Sequence, residues 1–213
     1  MAIKVANNQS LTAITALPTA AALTDGDFTL IKSQTADASS GTVAFVNGSS
    51  DVVLDSTYSI YLFKFINIHP SNDGDILRVN FSDDTSSHSY NLAKTTTAIN
   101  IRHDEDGSDG EIAYSTGTDL AQGTGNKDLT VGVNNANEAS CSGEMYLFSP
   151  SSTTFVKHFL AKTNTDYGGR CYTRYSAGYI NTTAAVTAVQ LTFTGGNIDA
   201  GTFKLYGVGP KQS

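Results

Sequence analysis

The stretch Tyr58–Pro70, YSIYLFKFINIHP, constrains the fold more than any other part of the chain. Its aromatic and β-branched residues and its closing proline mark it as a strand. Successive side chains on a strand point to opposite faces. One face here carries Tyr58, Ile60, Leu62, Lys64, Ile66 and Ile68; the other carries Ser59, Tyr61, Phe63, Phe65, Asn67 and His69. A strand with one face in water alternates apolar with polar, whereas this one is apolar on both faces through its middle. The aromatic face has no charge and is expected to point into a core. The face of Ile60, Leu62 and Ile66, interrupted by Lys64, is then an apolar surface of a kind that monomers seldom leave bare. Its expected cover lies outside a simple two-sheet core. A second subunit is the first candidate, and the loops or N-terminal arm of the same chain are the competitor.

Strand signals recur on both sides of this stretch. FTLIKSQTA (Phe28–Ala36), TVAFV (Thr42–Val46) and ILRVNFS (Ile76–Ser82) are strands, with weaker ones at Thr95–Arg102 and Leu129–Val133. Two hairpins are expected to close the chain: Glu144–Phe148 with Phe155–Ala161, and Ala188–Thr194 with Thr202–Val208 around a Gly-rich loop. Asn47-Gly48 and SNDGD carry turn chemistry. No segment has a helical period longer than two turns. About eight to ten short strands at regular spacing predict an all-β chain, a two-sheet jelly-roll-like sandwich over residues 28–213. Residues 1–27 hold small residues, threonines and Pro18 without a period, and are read as an extended arm. The arm is expected to lie across a neighbouring molecule, as an extended segment or an added edge strand. No heptad, triplet or short repeat is present, which argues against a fibre shaft.

The charge pattern narrows the partners. The net charge is −7, and the 13 lysines and arginines are scattered singly, so nothing aligns cations on nucleic-acid phosphates. No apolar run is long enough to span a bilayer. The segment MAIKVANNQS lacks the apolar core of a secretory signal, which predicts folding in a cytoplasm. Cys141 and Cys171 sit beside strands that would flank one central strand of a meander, roughly 9–10 Å apart, beyond the ~7 Å that a disulfide spans. Two free thiols are expected.

No catalytic motif stands out. There is no Gly-x-Ser-x-Gly elbow and no phosphate-binding Gly-rich loop before a helix. The four histidines lie in separate segments, and His158 falls within a strand, where a core or interface role is the usual one. A glycosidase needs only two carboxylates on facing strands, but nothing singles out a pair. The acidic run HDEDGSDGE offers Asp104, Asp106 and Asp109 as calcium ligands. In an EF-hand frame starting at Asp104, however, the required glycine is Asp109 and the closing glutamate is Ser115. A solvated acidic loop is the expectation, with a calcium site of another geometry as the alternative; Asp73, Asp75, Asp83 and Asp84 read in the same way. The chain is read as non-enzymatic and without a cofactor.

Five segments, YLFKFINIHP, DLAQGTG, CSGEMYLFSPSSTTFVKHF, AGYINTTAAV and GNIDAGTFKLYGV, resemble small jelly-roll virion proteins of tailed bacteriophages, marine ones especially. The similarity spans Phe28–Val208, and the ending in Lys-Leu-Tyr-Gly is its most characteristic piece. The resemblance implies a structural role on the virion surface, as a capsid decoration protein or as a tail or fibre component. It implies a homo-oligomer that contacts other virion proteins, and no catalytic residues. The other expectation is a carbohydrate-binding module recognising a host surface glycan. For that role tyrosine and asparagine on loops, as in TDYGGRCYTRY (Thr165–Tyr175), would suit stacking against sugar rings.

Overall fold

The computed structural model describes residues 28–211, so the arm expected over residues 1–27 lies outside the described residues. Twelve strands follow one another: β1 (Phe28–Ala36), β2 (Thr42–Val46), β3 (Ile60–Pro70), β4 (Arg78–Ser82), β5 (Lys94–Asp104), β6 (Gly110–Tyr114), β7 (Lys127–Asp128), β8 (Cys141–Phe148), β9 (Lys157–Asp166), β10 (Arg170–Ile180), β11 (Ala188–Thr192) and β12 (Ile198–Val208). A single 3-10 turn at Thr116–Thr118 is the only helical element among the described residues. The strands form an eight-stranded antiparallel sheet, β1-β12-β3-β8-β9-β10-β5-β6, and a four-stranded one, β2-β11-β4-β7. The chain is all-β with two stacked sheets.

The core lies between the sheets and is built from aromatics at alternate strand positions. Phe45 of β2 meets Phe63 of β3 edge-on at 5.4 Å, and Phe81 of β4 meets Phe159 of β9 at 5.5 Å. Tyr61, Phe63 and Phe65 are at most 1% exposed, on the inward face expected for them. Alternation does not survive to the end of β3. Asn67 adopts φ +51°, and three steps along β3, Phe65 to Ile68, match two along β8, Gly143 to Cys141. This β-bulge inserts one residue and reverses the phase. Ile68 therefore enters the core fully buried, instead of joining the Ile60 face.

The second closing hairpin is not formed. β11 pairs with β2 and β4, while β12 pairs with β1 and β3, so the Gly-rich connection crosses from one sheet to the other. Leu129–Val133 is not a strand either; its neighbours Lys127–Asp128 pair briefly with β4, and Val133 makes one bridge to Asp75. Two strands were not anticipated. Gly110–Tyr114, inside the acidic run, returns along β5 as β6. TDYGGRCYTRY is not a loop but the β9–β10 hairpin, with Gly168 and Gly169 at positive φ in its turn. β9 separates the strands that carry the two free cysteines, Cys141 opposite Thr165 and Cys171 opposite Asp166.

Among the described residues three lysines are fully buried: Lys94, Lys127 and Lys157. Each ammonium donates to backbone carbonyl oxygen: Lys94 to Leu92 and Gly125, both at 2.8 Å, Lys127 to Thr118 at 2.9 Å, and Lys157 to Thr182 and Ala184. Burial pushes Lys94 and Lys127 down to about 8 from the usual 10.5. A group with a depressed native pKa contributes stability that is present above its unfolded pKa and lost as pH falls through the native one. Between pH 8 and about 9 the unfolded chain holds more protons at these lysines, so stability is expected to rise with pH. Above that, Cys141, pushed up to about 12 from 9.0 by burial, acts in the opposite sense. Urea midpoints measured in small pH steps would show the rise. Lys94→Met should reduce it, and a fall across the same window would refute the assignment.

Candidate functional site

The unusual surface is the face of the eight-stranded sheet that points away from the core. Pairing registers place Leu30, Tyr206, Leu62, Tyr146, Leu160, Ala177 and Thr97 side by side in one row across seven strands. At ~4.8 Å per strand the row is roughly 29 Å long. The next row on one side holds Phe28, Val208, Ile60 and Phe148. The row on the other side is mixed: Lys204, Lys64, Glu144, Lys162, Tyr175, Ile99 and Tyr114. In it Lys64 donates to Glu144, and the Lys162 ammonium lies 5.5 Å from the centre of the Tyr175 ring. These pairings reduce the free charge on the face.

A shallow groove of about 470 Å³ follows the rows, bounded by Tyr146, Leu160, Tyr175, Ala177 and Ile99. Leu160 is 50% exposed, and Tyr175 and Ile99 are 41% exposed each. Strand alternation is responsible, because β9 buries every odd position and presents His158, Leu160 and Lys162 outward. His158 is thus an outer-face residue, its ring 6.3 Å from that of Tyr179.

The residues expected to form the docking face separate here. Ile60 is half-buried and Ile66 is 40% exposed, but Leu62 is only 2% exposed. Leu62 lies in register between Tyr206 and Tyr146 of the flanking strands. The wider face, contributed by β1, β8, β9, β10, β5 and β6, was not legible from any one segment. Each strand supplies only one or two apolar residues to it.

The acidic residues do not come together as ligands. Arg170 holds Asp104 at 2.7 Å, and Arg102 binds Asp109 at 2.6 Å and Glu111 at 2.9 Å. Asp106 accepts the Ser108 amide within the turn. No three His, Cys, Asp or Glu side chains among the described residues are grouped to hold a metal. The other aspartates organise loops instead of lying free in solvent. Asp84 accepts the Ser89 amide at 2.7 Å and the His88 amide beside it, and these bonds hold its carboxyl below the usual range. Asp75, 8% exposed, accepts the Gly195 amide at 3.0 Å from the segment between β11 and β12. Of the tyrosines expected to stack on a sugar, Tyr172 and Tyr175 are strand residues, Tyr167 lies in the β9–β10 turn, and the Tyr175 ring is occupied by Lys162.

The chain matches no protein-family model, no curated protein and no solved structure.

Proposed function

We propose that the chain is a non-enzymatic structural protein of a tailed-phage virion, a jelly-roll-like sandwich that decorates the capsid surface. It docks through the outer face of the eight-stranded sheet. The observation that carries this reading is the apolar row from Leu30 to Ala177, continuous over six strands before Thr97 ends it. Apolar surface of this extent marks an interaction site, because leaving it in water forfeits about 25 cal/mol per Å². The segments that carry the resemblance support the same surface. YLFKFINIHP lies in β3, CSGEMYLF is β8 and GNIDAGTFKLYGV contains β12, and these three are neighbours in the large sheet. A capsid position is preferred to a tail or fibre position because the chain has no periodic shaft and a decorating protein needs little beyond a docking surface.

The test has two arms. Antibody labelling of virions carrying this chain is expected to mark the capsid. Signal confined to the tail would refute the capsid role in favour of a tail or fibre component. Leu160→Asp, at a half-exposed position, should leave the fold intact while reducing addition of the purified protein to particles by at least about tenfold. Unchanged addition would remove the outer face from the reading. Binding of the purified monomer to host surface glycans would support the carbohydrate-binding alternative instead.

A further inference from the structure

Every sheet edge offers unpaired backbone groups, and proteins blunt such edges to avoid pairing with other chains. Three of the four edges here are blunted. β1 carries a bulge between Leu30 and Lys32, with a lysine at the irregularity. The Ala44 carbonyl of β2 accepts the side-chain amide of Gln34 at 2.9 Å. β7 is only two residues long, and its lysine is buried.

β6 is different. Its five residues GEIAY contain no lysine or proline, and its pairing with β5 has no bulge. Its register follows from two flanking bonds, Ser115 N–H to Ala98 O and Asp104 N–H to Asp109 O, both 2.9 Å. Hydrogen-bonded pairs alternate along an antiparallel ladder. Glu111 and Ala113 therefore bond inward to β5, while Gly110, Ile112 and Tyr114 direct their backbone groups outward. The outward Gly110 N–H is taken by the Asp109 carboxylate, which leaves Ile112 and Tyr114 open among the described residues. Their side chains are 73% and 57% exposed.

The two faces of the β5–β6 hairpin differ. The side facing the core layer carries the network of Arg102 with Asp109 and Glu111. The other side carries Ile99, Ile101, Ile112 and Tyr114, in continuity with the outer-face groove.

We infer that β6 is a self-association edge, on which the β6 of a second copy pairs antiparallel about a two-fold axis through Ile112. This register sets Ile112 against the partner's Ile112, Gly110 against the partner's Tyr114, and Glu111 against the partner's Ala113. No like charges face each other across the axis; a register centred one residue earlier would oppose two glutamates. The fit of the strand to itself favours a second copy over a foreign strand. Ile112 and Tyr114 each donate to an open carbonyl across the axis, and the apolar sides of the two hairpins merge into one surface. The contact is small for a stable dimer, so the association is concentration-dependent and strengthened where copies are held close together. It does not depend on where the protein sits on a particle.

Sedimentation velocity of the full chain tests this. Dimer is expected near about 100 μM and monomer near about 1 μM. Ile112→Pro removes an N–H that the monomer does not use, and Ile112→Lys places a charge on the axis; each should weaken dimerisation at least about tenfold. With Cys171→Ser as background, Ile112→Cys should form a disulfide-linked dimer on mild oxidation, because its Cα would lie about 5.5 Å from its symmetry mate. Leu160→Cys in the same background should not. A wild type that stays monomeric, a dimer indifferent to both Ile112 variants, or a dimer without the cross-link would each overturn the inference. So would a dimer abolished by removing residues 1–27 but unchanged by Ile112→Lys, which would assign the association to the arm.

Discussion

Phe63→Ala is expected to destabilise the chain by about 3–5 kcal/mol, a large part of the stability of a typical domain. Phe63 has no exposed surface and stands edge-on to Phe45, so its ring bridges the two sheets. Truncation removes the transfer free energy of the ring and leaves a cavity that two fixed strands cannot close. A shift in the urea midpoint, with the slope unchanged, would read the loss. A cost under about 1 kcal/mol would mean that the layers are not closely packed at this point.

Leu62→Asp is expected to cost at least about 3 kcal/mol, although Leu62 lies on the outer face. Read from β3 alone, this face is uncovered within the monomer, and an aspartate there would leave the monomer folded while blocking assembly. With Leu62 only 2% exposed, the substitution instead loses a buried leucine and desolvates a carboxylate. The nearest cation on that face of β3, Lys64, already donates to Glu144. The comparison with Leu160→Asp is decisive because both residues lie in the same row, with Tyr146 between them. The Leu160 variant should lose less than about 1 kcal/mol. Equal and small losses would show that Leu62 is open, and that the flanking tyrosines do not shield it.

Much of the fold was legible because strand signals are local. The alternation in TVAFV and RVNFS, the proline closing β3 and the turn at Asn47-Gly48 each announce themselves within a few residues. Neighbours in sequence are not always neighbours in the sheet. Ala188–Thr192 and Ile198–Val208 look like a hairpin because a Gly-rich turn joins them, yet they belong to different sheets. The acidic run concealed β6, since Glu111 and Asp109 read as solvated until Arg102 is seen beside them. Alternation alone puts Ile68 on the face of Ile60, because a bulge depends on the partner strand and nothing within INIHP announces the φ of Asn67.

Strand patterns alone specify an all-β chain, a core that holds Tyr61, Phe63 and Phe65, and a second apolar face on β3. Period and side-chain polarity are properties of a segment, and a strand keeps them wherever it is placed. The tertiary structure alone decided what that second face is. Cross-strand register turned scattered residues such as Leu30, Tyr146, Leu160 and Ala177 into one row, in which Leu62 is buried. It also left the backbone of Ile112 and Tyr114 open at an edge. Strand order and register are set by contacts between residues far apart in the chain, so no window of sequence contains them.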